Sequence, residues 1–389
     1  MSRKLFVRLH RYAGLLLVLF LTVAGLTGAA LAFNHEIDEW LNPDWMRVTP
    51  TTTPPVSLVQ LADDVSQAYP DHRIARIEFQ HRADQAWVVR MDSKQAGDDA
   101  PLPLQVFVNP YTDQILGARE WGKVDLSRRG LMPFLFKLHD TLHLPGKIGK
   151  WLLGGVAILW LLDCFIGFYL TLPRHGLLPS PGQFMKKWWP AWKIKYRANA
   201  TRVNFDLHRA TGLWLWPVLA VVAFSSFYLN LNREVFRPAM SVVMAFSPLP
   251  GDTLPKVKDA RVTIDWDAAY KRGLALRPVA ADDYRVANIA YLAKQNVYRL
   301  TFDERQPNAW LTFKREQVFF DANTGELKAQ YGYAEGKTGD RLSILQYPLH
   351  TGQIFGLPGR ILILVTGLLT AVLAWTGGFI WLKKRQSQK

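Results

Sequence analysis

Four stretches of the chain are apolar for long enough to cross a bilayer: Ala13–Phe33, Trp151–Leu172, Ala210–Leu231 and Ile361–Leu382. A hydrocarbon core of about 30 Å calls for about 20 such residues in a helix. Between the first and second stretches, and again between the third and fourth, the pattern changes. Each intervening segment opens with helical periodicity, at Leu58–Tyr69 and Trp266–Leu276, and then alternates as strands do, including Ala86–Met91 and Val297–Phe302. Each closes on a run of turn formers, in Val108–Ile115 and in Phe320–Leu327. The pattern predicts a mainly α membrane protein with four transmembrane helices and two α+β lobes outside the bilayer.

The halves repeat one another. Leu9-His10-Arg11-Tyr12-Ala13-Gly14-Leu15 matches Leu207-His208-Arg209-Ala210-Thr211-Gly212-Leu213 at an offset of 198, and Asn34-His35-Glu36 matches Asn232-Arg233-Glu234 at the same offset. Leu138-His139-Asp140-Thr141 resembles Leu349-His350-Thr351-Gly352, and Leu144-Pro145-Gly146-Lys147 resembles Leu357-Pro358-Gly359-Arg360. Corresponding helices therefore cross in the same direction, as in a duplicated two-helix unit whose pseudo-two-fold axis runs along the membrane normal. The domain boundaries that follow are 1–33 for the first helix and its terminus, 34–147 for lobe one and 148–172 for the second helix. A loop at 173–206, the third helix at 207–231, lobe two at 232–356 and the last helix with its tail at 357–389 complete the chain.

Charge sets the orientation. The chain has 389 residues, a net charge of +15, 47 basic residues and 32 acidic ones. The arm to Arg11, the segment 173–209 and the tail from Lys383 hold sixteen of the basic residues and one acid, Asp206, which accounts for the whole excess. The positive-inside rule puts these segments in the cytoplasm and both lobes in the periplasm, so the charge calls for no nucleic-acid partner. The first apolar stretch exceeds the roughly 7–15 residues of a signal-peptide core and reads as a retained helix, although Ala30-Leu31-Ala32 resembles a cleavage site.

A single cysteine, Cys164, excludes internal disulfides, cysteine-held iron–sulfur clusters and a C-x-x-C-H haem site. No Walker loop or dinucleotide-binding glycine motif is present. The histidines are the candidate chemistry. His10 and His208 are equivalent and end helices one and three on the cytoplasmic side, whereas His139 and His350 are equivalent and precede helices two and four on the other side. Facing imidazoles in a helix bundle suit axial ligation of a haem iron. Structural histidines hydrogen-bonded to the backbone are the competing reading, and zinc or copper a lesser one for want of further ligands. His35 and His143 are substitutes for the outer ligands, while His72, His81 and His175 read as solvated or interfacial. Arg11 and Arg209 divide between pairing with haem propionates and setting topology. Gly14, Gly25, Gly28, Gly154, Gly155 and Gly167 admit close approach of a macrocycle or of a neighbouring helix. Asp163, costly inside a span, is read foremost as a buried hydrogen-bonding group for Ser225 or Ser226, with proton transfer or quinone contact as other roles.

Four motifs carry a resemblance. Phe6-Val7-Arg8-Leu9-His10-Arg11, Asp163-Cys164-Phe165-Ile166-Gly167-Phe168-Tyr169-Leu170-Thr171-Leu172-Pro173, Asp206-Leu207-His208-Arg209 and Pro348-Leu349-His350 are similar to the PepSY-associated transmembrane family over nearly the whole chain. The resemblance implies PepSY-like lobes and two b-type haems. It also implies an inner-membrane reductase, similar to the siderophore (ferrioxamine) reductases, that passes electrons to periplasmic ferric siderophore. A fused flavin domain of some relatives is missing, so the donor is a separate cytoplasmic molecule or a quinol, and lipid is the remaining partner. A regulatory or partner-binding membrane protein and a transporter are the rival readings. Trp40, Trp45, Phe134, Phe136, Tyr347 and Phe355 are candidate walls for a chelate between the lobes.

Overall fold

A computed structural model describes residues 3–80, 82–95, 100–173, 180–258, 261–278, 283–305 and 313–387; His81 and His175 lie outside them. The chain forms two compact units, one from residues 1–33, 135–239 and 346–389, the other from 34–134 and 240–345. The division falls after residue 134, earlier than the lobe boundary expected at 147. The residues around His139 therefore belong with the long helices.

The first unit holds four helices long and apolar enough to cross a membrane. They are α1 (Arg3–Leu31), α4 (Ile148–Thr171), α5 (Ala200–Leu231) and α8 (Gly356–Gln386). Asn199 starts α5 by accepting a hydrogen bond from the Arg202 amide. Pro217 sits inside α5 without ending it, as membrane helices tolerate. Large apolar side chains on the outside, among them Leu16, Leu19, Leu162, Val221 and Leu368, are exposed and suit a lipid surround. Each of α1 and α5 packs on both α4 and α8, so α1 and α5 stand diagonally across the bundle. The α1–α8 contact depends on glycine: a Cβ on Gly25 would lie 2.6 Å from the Gly367 carbonyl oxygen. Two shorter helices lead into α4 and α8, namely α3 (Leu131–Thr141) and α7 (Thr338–Thr351). Turns with positive φ follow them, at Leu142, His143 and Gly146 after α3 and at Gly352 and Gly356 after α7.

The second unit is built on one antiparallel sheet. Its strands are β1 (His72–Glu78), β2 (Trp87–Ser93), β3 (Leu104–Val108), β4 (Ile115–Glu120), β5 (Tyr284–Leu292), β6 (Val297–Glu304), β7 (Arg315–Asp321) and β8 (Leu327–Gly332), in the order β4-β3-β2-β1-β5-β6-β7-β8. The two halves expected as separate lobes thus share a sheet, joined where Ile77 pairs with Ile289. The arrangement is symmetric about that pair. The bulge at Ile74/Arg76 is answered by one at Val286/Asn288, and that at Phe107/Val108 by one at Phe319/Phe320, both with the same shift in numbering that relates Ile77 to Ile289. One face is apolar. There Ile77, Val89, Val106, Ile289, Leu300 and Val318 pack against α2 (Leu58–Ala68) and α6 (Trp266–Ala275). Ser57 and Asp265 cap these helices, and Asp267 of α6 accepts from the Leu58 amide of α2, locking the two together.

The opposite face is polar and partly covered in the first half. Asp38 meets Arg119 in a two-bond ion pair of 2.9 and 2.6 Å, both side chains being buried. Glu39 is equally buried and accepts from Arg47, Arg82 and Gln85. Asp38 and Arg119 line a cavity of about 120 Å³ together with Gln85, Glu78, Arg90 and Gln105.

Candidate functional site

The sequence places His10 on α1 and His208 on α5, and the diagonal packing brings their rings together with centroids 6.1 Å apart and planes at 54°. His139 on α3 and His350 on α7 meet in the same way, at 6.0 Å and 58°. Two imidazoles bonded to one metal from opposite sides have ring centres roughly 6 Å apart, given metal–nitrogen bonds of about 2.0–2.1 Å. Both pairs therefore have the spacing that one metal ion between two histidines requires, and haem with two axial histidines is such a case.

Hydrogen bonding fixes the tautomers. Nδ1 of His139 lies 3.0 Å from Thr27 Oγ1, whose own proton goes to the Val23 carbonyl at 2.7 Å. Nδ1 of His350 lies 3.0 Å from Ser225 Oγ, which donates to the Val222 carbonyl. Nδ1 of His208 faces the Leu373 carbonyl and Thr376 Oγ1, both at 3.1 Å, and that hydroxyl donates to the Val372 carbonyl. Nδ1 of His10 is 2.9 Å from Asp163 Oδ1. The Asp163 carboxylate and the Leu373 carbonyl accept, and the Thr27 and Ser225 hydroxyls accept while their own protons go to helix carbonyls, so Nδ1 carries the proton and Nε2 keeps its lone pair. This is the state a metal-bound imidazole adopts, with the Nδ1 partner holding the ring in place.

The rings are seated against glycine. A Cβ on Gly28 would come within 3.0 Å of His139 Cε1, and one on Gly377 within 3.1 Å of His208 Cε1. Alanine at either position would require the ring to shift by a few tenths of an ångström.

Around His10 and His208 the bundle encloses a cavity of about 630 Å³, within the roughly 300–1,000 Å³ usual for cofactor sites. Its lining is mostly apolar, with Leu17, Trp160, Phe168 and Trp216 in the wall. Arg3, Arg11, Arg209 and Lys384 also line it. Arg209 is tied to Asp206 at 2.8 Å and to the Pro190 and Ala191 carbonyls. Arg3 donates to the Leu170 and Leu172 carbonyls. Arg11 has no hydrogen bond or ion pair among the described residues. A group with a flat apolar body and acidic edges fits this donor set, and Arg11 and Lys384 are the cations left to meet an acid.

Other candidates lie elsewhere. His35 belongs to the sheet unit, where its ring meets Gln85 Nε2 at 2.6 Å and Glu39 at 3.4 Å. His143 follows α3 with φ of 56°, and the ring that faces His350 is that of His139. Its counterpart in the second half is Gly356, so His143 occupies a left-handed turn position. Trp45 is packed inside the sheet unit against Phe107, with the Arg129 guanidinium 3.6 Å from its ring centre, whereas Trp40, Tyr347 and Phe355 are exposed. His72 is buried, not solvated, and bonds the Leu102 carbonyl at 3.0 Å.

Asp163 departs from its expected partners: it bonds His10, and Ser225 bonds His350 instead. Sequence reasoning missed Thr27, Ser225 and Thr376 as the groups behind the histidines. The repeat contains the signal, because Thr27 and Ser225 are related by the same offset as His10 and His208.

Among the described residues no group of three or more His, Cys, Asp or Glu side chains could hold a metal ion. No curated protein matches the chain. The signature of the PepSY-associated TM region covers residues 7–384, and the chain belongs to that family of membrane proteins.

Proposed function

We propose that the protein is an inner-membrane reductase with two b-type haems, carrying electrons from a cytoplasmic or quinol donor to ferric siderophore in the periplasm, where Fe(II) is released for uptake. The observation that carries this reading is the pair of facing histidines at each end of one bundle, with spacing and tautomers suited to axial ligation. A haem bound at each pair would supply one-electron exchange without a proton or a covalent step.

The chain's own contribution is position. His10 and Thr27 lie toward opposite ends of α1, and His208 and Ser225 repeat their separation on α5. At about 1.5 Å of helix per residue the two histidine levels are about 25 Å apart, most of the way across a bilayer core of about 30 Å. A haem held between the two histidines of each level would keep no open position on its iron, which favours electron transfer over oxygen binding. Asp163 holds the His10 ring by a charged acceptor, and hydroxyls or a carbonyl hold the other three. Arg11 would meet an acidic edge of the group in the 630 Å³ cavity. We infer further that the chain arose by duplication of a two-helix unit with a PepSY-like lobe, as the sheet symmetry and the repeated motifs suggest. The basic arm, loop and tail assign the His10 end to the cytoplasm.

The acceptor is the one the family resemblance implies, and iron chemistry suits it. Hard oxygen ligands such as hydroxamates favour Fe(III), so one added electron weakens their hold. Purified protein from haem-replete cells is expected to show b-type bands, with two haems per chain by the pyridine haemochrome assay. Dithionite-reduced protein is expected to reoxidise on addition of a ferric hydroxamate, with Fe(II) captured by a ferrous chelator. A folded but colourless protein overturns the haem reading. A coloured protein that stays reduced with every siderophore class overturns only the substrate.

A further inference from the structure

The polar face of the sheet carries a row of arginines. From edge to edge the paired positions run Arg119, Gln105, Arg90, Arg76, Ala290, Arg299, Phe319 and Ala329. Strand alternation puts them all opposite the apolar core, because Ile77, Ile289 and Leu300 point into that core.

Most of these cations are neutralised. Asp38 pairs with Arg119, and Glu78 serves both Arg76 at 2.5 Å and Arg90 at 3.3 Å. Beyond the row, Arg315 is paired with Asp303 at 2.6 Å. Arg299 has no acidic partner among the described residues. Its burial and the nearby guanidiniums of Arg76 and Arg315 push it down to about 10.

The symmetry of the sheet shows what is missing. Counting outward from the Ile77–Ile289 pair, Ala290 stands where the first half has Glu78. The second half thus lacks the acid that would answer Arg299. Ala290 carries only a methyl, so it leaves a gap in the line of long side chains between Arg76 and Arg299. Beside this gap, on the next row, stand Asn288 and Thr301. Arg76 Nε, Arg299 Nε, Thr301 Oγ1 and Asn288 Oδ1 are buried without a hydrogen-bond partner among the described residues. Buried donors are rarely left unpaired, since each costs about 1–3 kcal/mol. Two guanidiniums and a hydroxyl around one gap match an oxyanion, which guanidinium can bind through two parallel N–H bonds.

We propose that the gap over Ala290, between Arg76 and Arg299, binds a ligand carrying an oxyanion, a carboxylate or a phosphate, with Thr301 donating a further hydrogen bond. The ligand's negative charge takes the place of the missing acid. The site lies wholly within the sheet unit and does not depend on the haem reading.

Calorimetry and thermal unfolding of the full chain in detergent, with citrate and inorganic phosphate as probes, test this. Binding of citrate alone assigns a carboxylate ligand, and binding of phosphate alone a phosphate ligand. Arg299→Gln is expected to weaken binding about tenfold or more. Ala290→Phe keeps every charge but fills the gap, and should weaken it comparably. Arg73→Gln, an exposed charge on the same strand as Arg76, should leave it unchanged. Without added anion, Arg299→Met should unfold at the same temperature as the parent or higher, because it removes an uncompensated buried charge. The proposal is overturned if neither anion binds, if binding survives both Arg299→Gln and Ala290→Phe, or if Arg73→Gln loses as much. A lower unfolding temperature for Arg299→Met would also overturn it, since that means Arg299 is already compensated.

Discussion

At four matched positions the first half of the chain has an acid where the second half has a neutral residue. Asp163 holds His10, whereas its counterpart Thr376 holds His208. Asp38 neutralises Arg119 in the first half, and the matching residue of the second half is Phe236, buried in an aromatic cluster with Phe224, Phe227 and Tyr228. Ala290 is the counterpart of Glu78, and Gly325 that of Asp113. What both halves share is the histidine pair at each level and the sheet that pairs them. The shared groups define the common scaffold, and the acids define what each half does differently. A carboxylate behind an imidazole makes it a more basic ligand than a hydroxyl does, so a metal held by His10 and His208 would have its oxidised state favoured more than one held by His139 and His350. On the reductase reading, that lowers the potential where electrons enter and makes transfer toward the other pair downhill.

The largest effect should come from the histidines themselves. Since each pair takes one residue from each half, His10→Ala and His208→Ala should lose the same haem and spare the other. His139→Ala and His350→Ala should lose the second one. Haem content by pyridine haemochrome, with spectra of the haem that remains, checks this. If His35→Ala or His143→Ala removes a haem while His139→Ala does not, the pairing seen here is not the ligand set.

Next in size is Asp38. Asp38→Ala leaves Arg119 buried without its counter-charge and should destabilise the protein by about 3–5 kcal/mol in denaturant unfolding. Asp38→Leu combined with Arg119→Met should therefore recover most of the loss. Failure of the double variant to recover would mean that the polar network around Glu39 and Gln85 needs this pair.

How far these features are legible in sequence depends on their range. The four membrane helices are read from local composition, and hydrophobicity over about 20 residues needs no partner to be recognised. The facing of His10 with His208, and of His139 with His350, follows from the repeat offsets, because a two-fold axis brings equivalent residues together. The β1–β5 ladder is not legible. Strands pair through backbone groups that every residue carries, so nothing in Arg76-Ile77-Glu78 or Asn288-Ile289-Ala290 announces the partner. Thr27 and Ser225 are equally silent, since a hydroxyl on a membrane helix ordinarily bonds its own backbone, as both do. Asp163 is visible as an anomaly, but its partner is not, because His10 lies far away in the chain and on a different helix.

Asp163→Asn tests the proposed gradient directly. The neutral amide keeps the size of the side chain and removes its charge, so the potential at the His10–His208 pair should rise while the other stays. A tenfold change in relative affinity for two oxidation states is about 59 mV for one electron, and a shift on the order of that value is expected in a spectroelectrochemical titration. Thr27→Val, which removes a neutral hydrogen bond, should move the other pair by less. Equal shifts at both levels, or none at Asp163→Asn, would remove the electrostatic difference between the two ends.

The smallest effect concerns the turn that closes each half of the sheet. Asp113 lies in the left-handed region with φ of 62°, and its counterpart Gly325 has φ of 68°. Glycine takes this conformation freely, whereas a residue with a Cβ is disfavoured there. The Asp113 carboxyl is also buried and close to Asp64, and the two effects together push it up to about 6. An acid whose pKa is raised on folding holds its proton better in the folded state. The folded protein therefore loses stability as pH rises from about 4, near the ordinary value, to about 6, and the penalty is complete above that. Asp113→Gly should remove the strain and the buried charge at once, raising stability by about 1 kcal/mol or more at neutral pH. At pH 4 the gain should shrink to the backbone part alone, because Asp113 is then neutral. Unfolding curves for parent and variant across this range measure the difference. A gain that does not change with pH would mean that the carboxyl ionises normally and that only the turn geometry separates the two halves here.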